Sequence, residues 1–121
     1  MLSYKLASMG FDAGKTTALG LDVVVGISAA GSNQSAATHL DAAKNFVSTV
    51  TTGQGVRLSV NAIGGDDQFV YNGASVALNV YPPVGAAING LPTNQAMILS
   101  PKTGIVFHCG STTQWAAVLS A

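Results

Sequence analysis

The chain has 121 residues, which fits one domain, and only 8% of them are charged. Five basic residues balance five acidic ones, so the net charge is zero. Nucleic-acid binders depend on clustered Lys and Arg, and a membrane span needs about 18–20 consecutive apolar residues. Neither feature is present, which argues against nucleic-acid and membrane partners. The uncharged composition instead favours a structural protein whose surface is covered by partners.

Residues 1–20 differ from the rest of the chain. They contain three glycines and no sustained hydrophobic period, which predicts an extended arm that orders on binding a neighbour. The first residues also lack the apolar core of a signal peptide, so we expect synthesis in a cytoplasm without export. Five apolar residues of the arm are interface candidates: Leu2, Tyr4, Leu6, Met9 and Phe11.

Residues 21–121 carry the pattern of short strands. A β-branched run over 23–27 predicts the first strand, and residues 29–33 have the composition of a loop. Residues 36–50 are ambiguous, because their apolar spacing suits a helix whereas β-branched residues dominate the second half. We expect a short turn or helix at 36–43 and a strand at 45–51.

The pattern is clearer after residue 55. Apolar and polar residues alternate over 56–60 and again over 76–80, which predicts two half-buried strands. A further strand is expected at 68–71. The pair Asn72-Gly73 tolerates the positive φ of tight turns, so it predicts a hairpin. Pro82-Pro83 ends the strand before it, because proline cannot donate to a β-ladder.

Four more short strands are expected near 87–88, 96–99, 105–108 and 114–119, with a turn at Asn89-Gly90 among those between them. Turn signals therefore recur every ~8–12 residues, as in sandwiches and barrels. We predict an all-β fold, a single antiparallel β-sandwich or barrel of seven to nine short strands over residues 21–121.

Candidate metal and cofactor sites are weak. His39, His108 and Cys109 are too few for a structural zinc site, and the last two are adjacent on a predicted strand, so their side chains point to opposite faces. Gly14-Lys15-Thr16 resembles the end of a phosphate-binding loop, but Met9 stands where that motif needs glycine. We expect no metal and no cofactor.

Catalysis is not predicted either. The chain has one cysteine, no glutamate and no nucleophile motif such as Gly-x-Ser-x-Gly. We therefore expect a non-catalytic protein without catalytic residues. An enzyme would require a cleft that holds His39 or His108 beside an aspartate.

Two aromatic residues are further interface candidates. Trp115 and Tyr81 could anchor the core, contact a partner or form a stacking platform for sugars or bases. For the lone tryptophan a core position is the more common of these.

The motif V-Y-P-P-x-G-x-x-I-N-G at residues 80–90, together with its neighbours, resembles a recurring domain of tailed-bacteriophage virion proteins. The resemblance runs from about Ile27 to Leu119. It is carried by the blocks 29–37, 53–59, 70–73 and 78–90, and by Phe107 and Trp115.

This resemblance implies a virion component, either a capsid decoration (cement) protein or a small fibre module. In the first case the partner would be the major capsid protein on the capsid exterior, and the chain would be a homo-oligomer, expected to be a trimer. In the second case it would be a head- or tail-fibre module that binds a host glycan. No catalytic residue is implied in either case.

Overall fold

The computed structural model describes residues 23–120, with side chains up to Val118. The predicted arm, residues 1–20, lies outside the described residues, and so do its interface candidates Leu2, Tyr4, Leu6, Met9 and Phe11. Within the described range the chain forms ten strands and no helix. The all-β prediction is confirmed for this part of the chain.

The ten strands form two sheets. A six-stranded sheet has the order β1-β3-β5-β9-β10-β7, and a four-stranded sheet has the order β2-β4-β6-β8. The strands are β1 (Val23–Ser28), β2 (Thr38–His39), β3 (Lys44–Thr49), β4 (Gly55–Arg57), β5 (Asp67–Asn72), β6 (Leu78–Tyr81), β7 (Ala87–Ile88), β8 (Met97–Leu99), β9 (Thr103–Ser111) and β10 (Gln114–Ser120).

The first six strands form a solenoid-like stack. The chain alternates between the two sheets, so that β1, β3 and β5 pair in parallel in the large sheet and β2, β4 and β6 pair in parallel in the small one. Each pass through both sheets is one coil. Val23 pairs with Lys44 in the next coil, and Lys44 pairs with Phe69 in the third.

The remaining strands close the stack in the opposite direction. β8 runs antiparallel to β6, and β9 runs antiparallel to β5. A hairpin joins β9 to β10, and β7 pairs in parallel with β10. The predicted Asn89-Gly90 turn is confirmed: both residues have positive φ (50° and 77°), and the Leu91 N–H donates to the Ile88 carbonyl at 2.9 Å.

The antiparallel sandwich or barrel is not what the structure shows, since five of the eight pairings among the described strands are parallel. Turn signals at short intervals suit an antiparallel sandwich and a solenoid-like stack equally, because a turn can lead to the neighbouring strand or to the other sheet. Asn72-Gly73 is such a case. It leads from β5 to β6, which lie in different sheets, so the hairpin prediction is wrong.

Residues 36–43 agree with their prediction in part. The chain turns at 34–36 and forms no helix, but the two-residue strand β2, which was not expected, follows at Thr38–His39, and β3 begins at Lys44. The strand predicted over 56–60 ends earlier, because β4 stops at Arg57 and Val60 is exposed.

The core lies between the two sheets and is mostly aliphatic. Its largest fully buried apolar side chains are Phe107, Leu58, Leu78, Ile88, Leu99, Val47, Val56, Val70 and Val80. Burial of such side chains stabilises a fold by about 1.5–3 kcal/mol each.

Three carboxamides are buried with these residues. Gln68 donates to the carbonyls of Leu40 and Ala42, both at 3.0 Å, and accepts from the Ser59 N–H at 2.9 Å. Asn45 donates to the same Ala42 carbonyl and to that of Phe69, and Asn72 binds three backbone groups near the β5–β6 corner and the end of β8. These side chains satisfy backbone groups where the chain changes sheets.

Candidate functional site: an apolar band on the large sheet

An apolar band crosses the outer face of the six-stranded sheet. We call it the aromatic band, and it consists of Phe46 on β3, Phe69 and Tyr71 on β5, Val106 on β9 and Val118 on β10. Cross-strand register aligns Phe46 with Tyr71, Phe69 with Val106, and Val106 with Val118. Because successive side chains of a strand point to opposite faces, these residues lie opposite the core.

The rings of the band pack on one another. The ring centroids of Phe46 and Phe69 are 5.7 Å apart at an interplanar angle of 58°, and those of Phe46 and Tyr71 are 6.0 Å apart at 48°. Tilted pairs of this kind add to the stability given by area alone. Gly104 lies beneath them, since a Cβ at that position would lie 2.6 Å from Cζ of Phe69.

No element of the described chain covers the band. The three rings and Val106 are half-buried, and Val118 is 55% exposed. Sheets with parallel strands are usually covered on both faces, and contiguous apolar patches on a surface commonly mark binding sites. Among the described residues, the band is therefore the best candidate for a protein-binding surface.

Polar residues border the band at one end. Lys44 lies beside Phe69 in register, and His108 pairs with Asp67, with 2.5 Å between Nδ1 and the carboxylate oxygen. All three side chains are exposed to solvent, the histidine to 44%. An apolar centre with a polar rim at one end is a usual arrangement at protein interfaces.

A second row of side chains lies on the outer face of the small sheet. His39, Arg57 and Tyr81 align in register on β2, β4 and β6. Nη2 of Arg57 lies 3.2 Å from Nδ1 of His39, and the Tyr81 hydroxyl donates to the Ser32 carbonyl at 3.4 Å. Tyr81 is half-buried, so part of its ring is available to a ligand or partner.

The structure separates the two aromatic interface candidates. Tyr81 lies on the surface, whereas Trp115 packs in the core with 4% of its surface exposed. Its indole Nε1 is buried and has no hydrogen-bond partner among the described residues. Trp115 therefore cannot form a stacking platform together with Tyr81.

The groups that could perform chemistry are dispersed. His39 and His108 lie in different sheets, and the described part of the chain contains no group of three His, Cys, Asp or Glu residues placed to hold a metal. The His108–Asp67 pair has no hydroxyl or thiol bonded to it among the described residues, and a nucleophilic triad requires one.

Cys109 is buried, and its thiol donates a hydrogen bond to the Ser111 carbonyl, with 3.2 Å between Sγ and the oxygen. Burial raises the pKa of this thiol, and the negative charge of Asp66 adds to the effect. The thiol is thus held protonated at neutral pH, and a protonated thiol is a poor nucleophile.

Sequence reasoning missed the aromatic band. In β5 the amides Gln68 and Asn72 face the core with Val70, while Phe69 and Tyr71 face outward. Hydrophobicity alone predicts the reverse, with the two aromatic rings in the core and the two amides on the surface. Only the backbone bonds of the amides, which appear with the tertiary structure, explain it.

Searches of protein-family models, of curated proteins and of solved structures found no match to this chain.

Within residues 23–120 there is no helix of the length and apolar character needed to cross a lipid bilayer.

Proposed function

We propose that this chain is a non-catalytic structural protein of a bacteriophage virion, a capsid decoration (cement) protein. It binds the lattice of the major capsid protein on the capsid exterior, after assembly in the host cytoplasm. The observation that carries the proposal is the aromatic band, an apolar surface of the large sheet that the described chain leaves uncovered. A protein that binds only the assembled shell stabilises it by mass action.

The zero net charge supports the same function. A decoration protein covers a repeating lattice through many equivalent contacts, and an uncharged surface lets neighbouring copies approach without mutual repulsion. The proposal includes a homo-oligomer, with a trimer as the expected state, because closed symmetric assemblies are the usual form of such proteins. Native mass spectrometry of the purified chain measures this state directly, and a monomer at all concentrations would contradict the oligomer.

The test of the main proposal is binding to shells stripped of decoration. Val118→Asp places a charge on the most exposed position of the band without touching the core. We expect shell affinity to fall at least about tenfold, because burying an unpaired carboxylate costs more than 1.4 kcal/mol. Ile98→Asp is the matched control, since Ile98 is 67% exposed on β8 of the other sheet.

Circular dichroism and melting temperature establish that both variants fold. Equal shell occupancy for Val118→Asp and the natural chain would refute the band as the capsid contact.

Copy number in purified virions, measured by gel densitometry, tests the function itself. Hundreds of copies per particle agree with decoration, and a few copies would contradict it.

A fibre module that binds a host glycan is the second candidate, favoured by the row His39, Arg57 and Tyr81. A half-exposed tyrosine ring beside a guanidinium and an imidazole offers both stacking and hydrogen bonding to a sugar. A glycan array tests it: binding that is lost in Tyr81→Ala would support this candidate, and no binding by the natural chain would exclude it for the glycans on the array.

A further inference from the structure

Arg57 is a cation without a paired anion in the described part of the chain. It lies on β4, on the outer face of the small sheet, in register with His39 on one side and Tyr81 on the other. No carboxylate of the described residues lies within 4 Å of its guanidinium. Asp41, the acid nearest to His39 in the sequence, instead accepts a hydrogen bond from Oγ of Ser59 at 3.1 Å.

The guanidinium of Arg57 also has unused hydrogen-bond donors. Its Nε is buried and has no partner among the described residues. Its Nη2 lies beside both ring nitrogens of His39, and the nitrogen that receives the bond must be unprotonated, because a guanidinium only donates. An imidazole that accepts in this way supplies no negative charge. A half-buried positive charge is costly without an anion, so this position has the electrostatic character of an anion site.

The ring of Tyr81 supplies an apolar surface beside this charge. It lies against Gly55, since a Cβ at that glycine would be 2.8 Å from Cε2 of the tyrosine. Gly55 and Arg57 are two residues apart on β4 and therefore share the outer face of the sheet. Tyr81 is half-buried, and its hydroxyl is held by the carbonyl of Ser32. The ring and the guanidinium thus lie side by side.

We propose that this row binds an acidic sugar, with the sugar carboxylate on Arg57 and the sugar ring on Tyr81. In a uronic or sialic acid the carboxylate projects from the edge of the pyranose ring, so stacking on the tyrosine brings it to the neighbouring guanidinium. A planar guanidinium matches the geometry of a carboxylate. Its single charge balances one carboxylate, whereas a phosphate monoester carries about 1.5–2 negative charges, which favours the carboxylate.

The inference deepens the second candidate function, a module that binds a glycan, and rests on it for the stacking role of Tyr81. It does not depend on the capsid proposal, because the row and the aromatic band lie on different sheets.

Isothermal titration calorimetry with matched pairs of sugars tests the need for a carboxylate. The pairs are sialyllactose with its methyl ester and trigalacturonic acid with its methyl ester, so that the members of each pair differ in charge. In the natural chain we expect the acid of at least one pair to bind at least about tenfold more tightly than its ester. The preference should shrink at roughly 0.5 M NaCl, because salt screens the charge pair.

Substitutions assign the preference to its residues. Arg57→Gln should leave acid and ester with equal affinity, and Tyr81→Ala should weaken the binding of both. Lys102→Gln is the matched control, since it removes the same charge at an exposed residue directly before β9 and should keep the preference. Circular dichroism and melting temperature establish that the variants fold. The comparison of acid with ester in the natural chain needs no substitution.

The outcomes separate this inference from the candidate function on which it rests. Equal affinity for acid and ester in the natural chain would overturn the acidic-sugar inference and leave the glycan-binding module standing. A preference that persists in Arg57→Gln, or that is lost in Lys102→Gln, would overturn it as well. Tighter binding of inorganic phosphate than of either acid would assign the guanidinium to phosphate and contradict the inference. No binding of any of these sugars would count against the inference and the glycan-binding module together.

Discussion

At the scale of single residues, the buried carboxamides explain why the chain can change sheets without leaving backbone groups unsatisfied. Asn45 and Gln68 lie near the beginnings of β3 and β5, and Asn72 ends β5; their amides bond to backbone carbonyls and N–H groups. A buried backbone group without a partner costs free energy comparable to a lost hydrogen bond. An apolar residue of similar volume would pack but would leave these groups unpaired.

Asn72→Ala tests this role. The substitution removes the donor to the Val76 and Leu99 carbonyls and the acceptor of the Ala74 N–H. We expect the free energy of unfolding to fall by about 2–4 kcal/mol, measured by urea denaturation. Asn61→Ala, at an exposed asparagine, should stay within about 0.5 kcal/mol of the natural chain. Similar losses in the two variants would contradict the structural role of the Asn72 amide.

Cys109 gives a prediction on pH. Its pKa is raised by burial and by the charge of Asp66, so the folded state holds the proton more tightly than the unfolded state. Below the unfolded pKa of about 8.5 the thiol is protonated in both states, and its contribution to folding stability is fully present. Above it the unfolded state ionises first, so stability falls as pH rises toward the folded pKa.

Urea denaturation at several pH values measures this effect. Above pH of about 8.5 the free energy of unfolding of the natural chain should decline more steeply than that of Cys109→Ala, by less than the ~1.4 kcal/mol per pH unit that one proton can give. Identical slopes would show that the thiol does not titrate differently on folding.

At the scale of strands, glycines allow close approaches that set the two outer faces. Gly104 lies under the ring of Phe69 on the large sheet, and Gly55 lies between β2 and β6 on the small one. A Cβ at Gly55 would lie 2.7 Å from the Asn79 carbonyl oxygen and 2.8 Å from Cε2 of Tyr81. The half-buried position of the Tyr81 ring therefore depends on the absence of a side chain at residue 55.

Gly55→Ala should destabilise the fold by about 1–3 kcal/mol, because the contact is with backbone that can move only with the strand. Gly110→Ala is the matched control, since its nearest neighbour would be 3.5 Å away and its φ is not positive. We expect that variant to be neutral or slightly more stable, through lower entropy of the unfolded chain. Thermal melting compares the two, and equal melting temperatures would contradict the close approach.

At the scale of the whole molecule, two parallel ladders share one core and an antiparallel segment closes them. Asn89 helps to connect this closing segment, because its carboxamide accepts from the Ala117 N–H at 2.9 Å and so links the β7 turn to β10. The large sheet of the resulting body carries the aromatic band on its outer face, with Lys44, Asp67 and His108 at one end of it.

The apolar character of the aromatic band leads to a prediction on salt. If the aromatic band carries shell binding, affinity should change less than about threefold between low salt and roughly 0.5 M NaCl, because screening acts on charge pairs and leaves apolar contacts intact. Cosedimentation with stripped shells measures this. A steep loss of binding with salt would assign the contact to the charged residues at the end of the band, Lys44, Asp67 and His108.

The local pattern of the sequence was sufficient for the secondary-structure class and for several strands. β1 and the Asn89-Gly90 turn follow from β-branched runs and from tolerance of positive φ, which are properties of single residues and their immediate neighbours. Burial of the Val56, Leu78 and Val80 side chains also follows from alternation. These features needed no knowledge of which strands pair.

The tertiary structure decided which strands pair and which side of each strand is buried. Asn72-Gly73 looks the same in sequence whether it joins two strands of one sheet or passes to another, and only the pairing of β5 and β6 with strands of different sheets distinguishes the two. The outward position of Phe69 and Tyr71 likewise requires that the neighbouring amides find buried backbone partners. Local propensity determines that a strand forms, but the choice of its neighbours depends on contacts between residues far apart in the chain, which no short pattern encodes.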